Sequence, residues 1–172
     1  IPNTVGQSIR ALTRLGADFM TLHGTGGRAM MEAAAEAVRD EAEKLRIERP
    51  RLLAVTVLTS IDEDAWKEIG GRDNIADSVK NLARLAKEAG IDGTVSSPYE
   101  AKEIRSMNGP EFLIVTPGIR PTFAVANDQK RFTTPSQALR DGASHLVIGR
   151  PITKADDPKE AAAKILAEIQ GV

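Results

Sequence analysis

The chain has 172 residues, 41% of them hydrophobic, which is enough to bury a core within one domain. Its 24 acidic and 23 basic side chains nearly cancel, which argues against a nucleic-acid or membrane-surface binder, and its longest apolar run, at 52–58, is too short to cross a bilayer. Cysteine is absent, so disulfides, thiolate metal sites and a cysteine nucleophile are excluded, and we expect a cytoplasmic protein with a small-molecule partner.

Five short runs have the composition of β-strands. They are apolar almost throughout, as parallel strands covered on both faces are. The predicted strands lie at residues 17–23, 52–58, 92–97, 112–117 and 145–149.

Helical patterns precede and separate these strands. An opening helix is predicted at about residues 3–15, and the segment 75–89 has the clearest helical period. Its apolar residues form one stripe that we expect to face the sheet. The stripe consists of Ile75, Val79, Leu82, Ala83, Ala86 and Ala89.

Capping residues mark the predicted element boundaries. Ser97 before Pro98, and Thr134 before Pro135, each combine an N-cap residue with a proline in the first helical turn, so a helix is predicted to begin at both places. Glycines stand where helices end and strands begin, a position that favours a left-handed backbone. These glycines are Gly16, Gly90 and Gly142.

The alternation of strands and helices predicts an α/β fold with a parallel sheet and right-handed crossovers. A (β/α)8 TIM barrel has eight strands and typically about 250 residues. We predict that this chain supplies about five strand-helix units plus one preceding helix, so that residues 1–172 form the C-terminal portion of a single barrel domain. Because it opens on Ile1 and Pro2 without an initiator Met, we expect the polypeptide made in the cell to be longer.

A glycine-rich stretch follows the first predicted strand and matches G-x-G-x-x-A through Gly24, Gly26 and Ala29. A dinucleotide site also needs an acidic residue about twenty positions on, at the end of the next strand, whereas here the helix continues to about Arg46. We interpret the stretch as a tight turn and a helix start. His23 ends the strand, and a structural role is favoured over a catalytic or zinc-binding one because no Cys or second His lies nearby.

Two hydroxyl side chains, Thr59 and Ser60, follow the second predicted strand at the rim where parallel barrels bind ligands. Ser60 and Glu63 have the spacing of a capping box for the helix around Trp66, which gives Ser60 a structural task. Thr59 has no such task, so we predict Thr59 as the ligand contact. Whether Ser60 contacts the ligand or only caps the helix is left as an open alternative.

The last predicted strand leads into Gly149, which permits close backbone approach, and Arg150, which presents a planar fork of donors. In barrels, the loops after strands seven and eight often bind phosphate. If the last strand is the eighth, the long connection at 118–135 follows the seventh and brings Arg120 and Gln129 to the same site. We expect this connection to fold over the phosphate and exclude water, the alternative being an unspecific surface loop.

Six stretches occur in the order and spacing of the bacterial-type orotidine 5'-phosphate decarboxylases, and the sequence resembles that family over its whole length. They are IPNTV, VTVLTS, VTPGIRP, NDQKR, TP and VIGRPIT. The resemblance implies a (β/α)8-barrel homodimer that converts orotidine 5'-monophosphate to UMP in pyrimidine biosynthesis. It also implies that the enzyme, a carbon-carbon lyase, uses no metal and no organic cofactor.

The resemblance also implies roles for individual residues. Thr59 would contact the pyrimidine, and Thr4 would help to contact the ribose across the dimer interface. The phosphate would be held by Arg120, Gln129, Gly149 and Arg150. The substrate-binding residues at the start of the chain would be Ile1, Pro2, Asn3 and Thr4.

In the family, IPNT directly follows an Asp-x-Lys-x-x-Asp motif, whose Lys protonates the carbanion and whose last Asp reaches into the partner's active site. The 172 residues do not contain this motif, which would lie directly upstream of Ile1. We therefore expect no catalytic residue within this chain. We expect the 172 residues alone to be inactive, and the longer polypeptide or a complementing N-terminal piece to be active.

Two alternatives remain open. Another phosphate-binding barrel, such as a sugar-phosphate epimerase or a sugar-acid phosphate decarboxylase, would share Gly149 and Arg150 but commonly requires a divalent metal, for which this sequence shows no cluster of ligands at strand ends. An inactive barrel fragment is the other alternative, and the edges of its open sheet would need cover.

Overall fold

One parallel sheet forms the centre of the molecule. A computed structural model describes residues 1–124 and 133–170, and its five strands are hydrogen-bonded to one another in chain order. The strands are β1 (Phe19–His23), β2 (Arg51–Val55), β3 (Gly93–Val95), β4 (Leu113–Thr116) and β5 (His145–Leu146). All five predicted strands are confirmed, within a few residues of their predicted ends.

Helices precede, separate and follow the strands. In the described part of the chain these are α1 (Pro2–Thr13), α2 (Arg28–Leu45), α3 (Glu63–Glu68), α4 (Ile75–Glu88), α5 (Ala101–Asn108), α6 (Pro135–Arg140), α7 (Arg150–Thr153) and α8 (Pro158–Gln170). None of the helices in these ranges has the length and apolar character needed to span a membrane.

All four strand pairs are parallel, so the C-terminal ends of the strands lie at one edge of the sheet, here called the carboxyl edge. Parallel neighbours need a crossover, and helices supply it between every pair of consecutive strands. The segments that follow β1 to β5 are therefore brought to the same side of the molecule.

One face of the sheet is covered by helices and holds the main core. Met20 of β1 lies beside Leu52 of β2 in the strand register, and both are buried together with Met31 and Val38 of α2. Fully burying a side chain of this size stabilises the fold by about 1.5 to 3 kcal/mol. This face holds the sheet and its helices together.

The opposite face of the sheet is concave. The ring of Phe19 in β1 meets the ring of His145 in β5 edge-on, with 5.4 Å between the ring centroids. In a flat sheet, five strands spaced at about 4.8 Å would hold β1 and β5 about 19 Å apart. The sheet must therefore curl until its outer strands face each other. This is the curvature of a barrel wall, and it confirms the predicted (β/α)-barrel class.

The predicted amphipathic helix at 75–89 is confirmed as α4. Val79, Ala83 and Ala86 are buried in the main core, and Leu82 packs against it. Asn74 caps the helix, and its Oδ1 accepts a hydrogen bond from the amide of Asp77 at 2.8 Å. The helical period in the sequence had located the buried stripe correctly.

The predicted capping box of Ser60 and Glu63 is wrong. The N-cap of α3 is Asp62, whose Oδ1 accepts a hydrogen bond from the amide of Ala65 at 2.9 Å. Asp caps helices as well as Ser does. Ser60 lies within a turn in which the amide of Ile61 donates to the carbonyl oxygen of Leu58. The carboxylate of Glu63 instead accepts from the amide of Ile75.

The predicted helix start at Ser97 is also displaced. The carbonyl oxygen of Ser97 accepts from the amide of Glu100, and that of Pro98 accepts from the amide of Ala101. These bonds close tight turns, so α5 begins only at Ala101. The prediction at Thr134 is confirmed, because its Oγ1 accepts from the amide of Gln137 and α6 begins at Pro135.

The three glycines predicted at helix ends have positive φ angles of 76° to 101°. At Gly142 (φ 101°) an added Cβ would also lie 2.9 Å from the Cβ of Arg105, so the position is restricted by contact as well as by conformation.

Candidate functional site

A cavity of about 610 Å³ lies beyond the carboxyl edge of β4 and β5. Its lining includes Arg120, from the connection after β4, and Arg150, the first residue of α7 after β5. The structure therefore brings together two guanidinium groups that the sequence analysis assigned to one site. Phe123, Lys154 and Lys164 line the same cavity.

Two of the three carboxylates in the cavity lining, those of Asp157 and Glu160, have local partners. Asp157 accepts a hydrogen bond from the amide of Glu160 at 2.9 Å, and Glu160 forms a salt bridge of 2.7 Å with Lys164. The hydrogen bond from Lys164 lowers the pKa of Glu160, so this carboxylate stays ionised and its charge is matched. Within residues 1–124 and 133–170, neither Arg120 nor Arg150 forms a salt bridge, so both remain available to an anion.

Backbone contacts hold Arg120 in place. Its amide donates to the carbonyl oxygen of Thr133 at 3.0 Å, next to an isolated bridge between Ile119 and Thr133. Ile119 is buried in a second, smaller core cluster with Ala138 and Ala143. The segment that carries Arg120 is therefore fixed by the packing of Ile119 and by the hydrogen bond of the Arg120 amide.

Arg150 is placed by the short helix α7. The carbonyl oxygen of Gly149 accepts from the amides of Ile152 and Thr153, which closes the first turn of the helix directly after Arg150. Apart from its two chain neighbours, no heavy atom of the described residues lies within 4 Å of the position that a Cβ would take at Gly149, so these residues leave the space beside its backbone open. The side chain of Arg150 is exposed.

The hydroxyl and imidazole candidates lie at the carboxyl edge but outside the lining of this cavity. Thr59 and Ser60 are exposed in the turn after β2, and His23 is exposed at the end of β1. The stretch at Gly24 to Gly26 forms a 3-10 turn, and α2 begins at Arg28 after Gly27, whose φ is 86°. This is the tight turn and helix start that the sequence predicts.

The other candidate residues lie away from the cavity or outside the described part of the chain. Ile1 precedes α1, and Pro2, Asn3 and Thr4 form its first turn; all four residues are exposed. Gln129 falls within residues 125–132, which the structure does not describe. Its predicted place beside Arg120 and Arg150 stays a prediction.

Sequence reasoning did not find Lys154 and Phe123 as neighbours of the arginines. Lys154 lies four residues after Arg150, across one turn of α7, so helical spacing was a usable signal. Phe123 had no such signal, because its place depends on the turn at Thr122–Ala124. Within the two described ranges, no group of three His, Asp or Glu side chains is placed to hold a metal ion.

The fold and the cavity define the class: an α/β barrel-type protein with an arginine-lined cavity at the carboxyl edge of its sheet. Comparison with known proteins gives the family. The sequence matches the Orotidine 5'-phosphate decarboxylase / HUMPS family over residues 1–165, and the chain belongs to this family.

Relatives from several bacteria agree with this assignment. An orotidine 5'-phosphate decarboxylase of Moorella thermoacetica is 54% identical over 173 residues, which cover 100% of this chain and 69% of that protein. One of Trichlorobacter lovleyi is 54% identical over 169 residues, with 98% and 69% covered. The crystal structure of the Lactobacillus acidophilus orotidine 5'-phosphate decarboxylase superposes with a TM-score of 0.84 at 41% identity, covering 98% of this chain and 70% of that one.

Proposed function

We propose that this chain binds orotidine 5'-monophosphate and takes part in its decarboxylation to UMP. The observation that carries the proposal is one cavity lined by both Arg120 and Arg150, each without a carboxylate partner in the described residues. Membership of the family and the names of its relatives supply the substrate. A phosphate monoester is the part of that substrate that two guanidinium groups recognise best.

The proposed phosphate site combines charge with geometry. Two planar guanidinium groups present paired donors to phosphate oxygens, and such charge-assisted bonds are about twice as strong as neutral ones. In the described part of the chain, the space beside the backbone of Gly149 is open, and a phosphate oxygen would approach there. Gln129 is proposed as a further phosphate donor, and Thr59 as the contact to the pyrimidine.

Decarboxylation breaks the bond between the pyrimidine ring and its carboxylate, and the electron pair stays on the ring carbon until a proton arrives. The family resemblance assigns that proton to the Lys of the motif upstream of Ile1. The residues of this chain would bind and orient the substrate. Binding energy at the phosphate, remote from the reacting carbon, lowers the barrier when it is used to hold the transition state.

We also propose a homodimer, because the resemblance assigns Ile1 to Thr4 to a site shared between subunits. The exposure of these four residues, 80% for Ile1, supports the proposal by leaving them accessible to a partner. A cytoplasmic location is proposed as well, in line with a water-soluble substrate.

Calorimetric titration with UMP tests the phosphate site. Each lost charge-assisted hydrogen bond is worth about 1.5 to 3 kcal/mol, so Arg120→Ala and Arg150→Ala should each weaken UMP binding by at least about tenfold. Arg39→Ala removes the same charge from an exposed position on α2, outside the cavity, and should bind UMP like the wild type.

Uridine, which lacks the phosphate, provides the second control. The two cavity variants should lose affinity for UMP and for inorganic phosphate, and should treat uridine as the wild type does. A wild-type chain that shows no affinity for UMP, or cavity variants that bind UMP as tightly as Arg39→Ala does, would contradict the proposal.

A further inference from the structure

Glu168 of α8 contacts two segments that are distant from it in the sequence. Its Oε2 accepts hydrogen bonds from the amide of Thr122 at 3.1 Å and from the Oγ1 of Thr122 at 3.2 Å. Its Oε1 accepts from the Oγ of Ser136 at 3.4 Å. One carboxylate therefore joins α8 both to the turn at Thr122–Ala124 and to the first turn of α6.

These contacts complete the support of the segment that carries Arg120. On one side of Arg120 the packing of Ile119 and the bond to Thr133 fix the backbone, and on the other side Pro121 is fully buried. Thr122 comes next and is held by Glu168. The direction in which the Arg120 side chain leaves the backbone is thus determined from both sides.

The same turn also contributes to the cavity directly. Phe123, the residue after Thr122, lines the cavity, and its ring lies 5.9 Å from the Nζ of Lys164 in α8. Without Glu168, the turn would keep, among the described residues, this weak, exposed cation–π contact and its local hydrogen bond from the amide of Ala124 to the carbonyl oxygen of Pro121. A released turn would widen the range of positions open to Arg120.

We propose that Glu168 is a positioning residue for phosphate binding, which acts by fixing the turn at Thr122–Ala124 and, through it, the guanidinium of Arg120. The proposal rests on the proposed function, since it assigns Arg120 to the phosphate. Glu168 touches no substrate atom in this proposal. A negative charge near a phosphate site would otherwise oppose binding, so a favourable effect of Glu168 on phosphate affinity requires this indirect route.

The test compares variants of Glu168 in the full chain by UMP titration and by hydrogen exchange of the Thr122 amide. Glu168→Ala removes both acceptors, so we expect at least about a fivefold loss of UMP affinity and faster exchange at Thr122. Glu168→Gln keeps an acceptor oxygen for Thr122 and should recover most of the affinity. Glu36→Ala, which removes an exposed carboxylate from α2, is the matched control and should change neither quantity.

A second variant approaches the contact from the other side. Thr122→Val removes one of the two donors at this residue without changing the carboxylate, and should lower UMP affinity less than Glu168→Ala does. Thermal unfolding of each variant shows whether it is folded at the temperature of the titration. If Glu168→Ala unfolds, the UMP affinities of Thr122→Val and Glu168→Gln test whether Glu168 supports phosphate binding.

The proposal is overturned if Glu168→Ala binds UMP at least as tightly as the wild type, as simple removal of a repulsive charge would predict. It is also overturned if the Thr122 amide exchanges at the wild-type rate in that variant. A wild-type chain that does not bind UMP refutes the proposed function and the phosphate role of Glu168 together. The exchange data then still report separately whether Glu168 holds the turn.

Discussion

The carboxylate of Asp92 illustrates how a single residue stabilises this fold. It is only 12% exposed and lies beside the starts of β2 and β3, where it accepts hydrogen bonds from the guanidinium of Arg49 and, at 2.7 Å, from the amide of Leu52. Burial by itself would raise the pKa of Asp92, but the bonds from Arg49 and Leu52 outweigh burial, and the pKa lies below its ordinary value.

The lowered pKa of Asp92 predicts a pH-dependent contribution to stability. The contribution is fully present above the unfolded-state pKa of about 3.9, and it is lost as the pH falls from there through the lower folded-state pKa. Asp92→Asn should therefore cost about 1 to 3 kcal/mol of unfolding free energy at pH 7. The difference between wild type and variant should shrink below about pH 4.

Urea unfolding at a series of pH values measures this difference. Glu36→Gln, at an exposed position on α2, is the control and should differ little from the wild type at every pH. A cost of Asp92→Asn that stays constant from neutral to acidic pH would show that the ionised carboxylate is not responsible.

At the scale of the elements, the α3 helix shows where local sequence rules compete. Ser60 and Asp62 both precede α3 and both belong to the residue types that cap helices. The spacing of Ser60 to Glu63 favoured Ser60 as the cap. The structure selects Asp62, because Ser60 lies in the turn that closes from Leu58 to Ile61 and Glu63 bonds to the start of α4.

This selection predicts unequal effects of two alanine substitutions. Asp62→Ala removes the cap and should cost about 1 kcal/mol of unfolding free energy, whereas Ser60→Ala should stay within about 0.5 kcal/mol of the wild type. Thr134→Ala, which removes the confirmed cap of α6, is the positive control and should resemble Asp62→Ala. Urea unfolding measures both losses of free energy. A larger loss for Ser60→Ala than for Asp62→Ala would support the predicted capping box of Ser60 and Glu63.

At the scale of the whole molecule, the curled sheet decides which residues can share a site. The contact between Phe19 and His145 shows that β1 and β5 face each other. Because β4 and β5 are parallel neighbours, the connections that follow them lie at the same carboxyl edge. The chain covers 69% and 70% of the lengths of the Moorella thermoacetica relative and the Lactobacillus acidophilus structure, and nearly all of it superposes on the latter.

The proposed homodimer gives a prediction at this scale. Sedimentation equilibrium of the wild-type chain should yield twice the mass of one chain, and Ile1→Arg should shift the equilibrium towards the monomer by burying a charge at the interface. Leu166→Arg introduces the same charge at another exposed apolar position, on α8, and should leave the mass unchanged. A monomeric wild type over the whole concentration range, or equal effects of both variants, would contradict the role of Ile1.

The sequence predicted the order of the elements, because their signals are local. The stripe of α4, the strand runs and the glycines at helix ends each depend on residues within a few positions of one another, and the structure confirms them. The sequence prediction placed the cap of α3 at Ser60 instead of Asp62 and gave the last strand five residues instead of two, because both features depend on contacts with other segments.

The candidate site also has a part that the sequence predicts and a part that depends on the tertiary structure. Arg120 and Arg150 were predictable from sequence, since parallel strands deliver the residues that follow them to one edge, and their side chains indicate an anion. The support of Arg120 by Glu168 was decided only by the tertiary structure. Those contacts join residues 46 and 32 positions apart, and no periodicity in the sequence reports which side chains meet once α8 packs beside the turn at Thr122–Ala124.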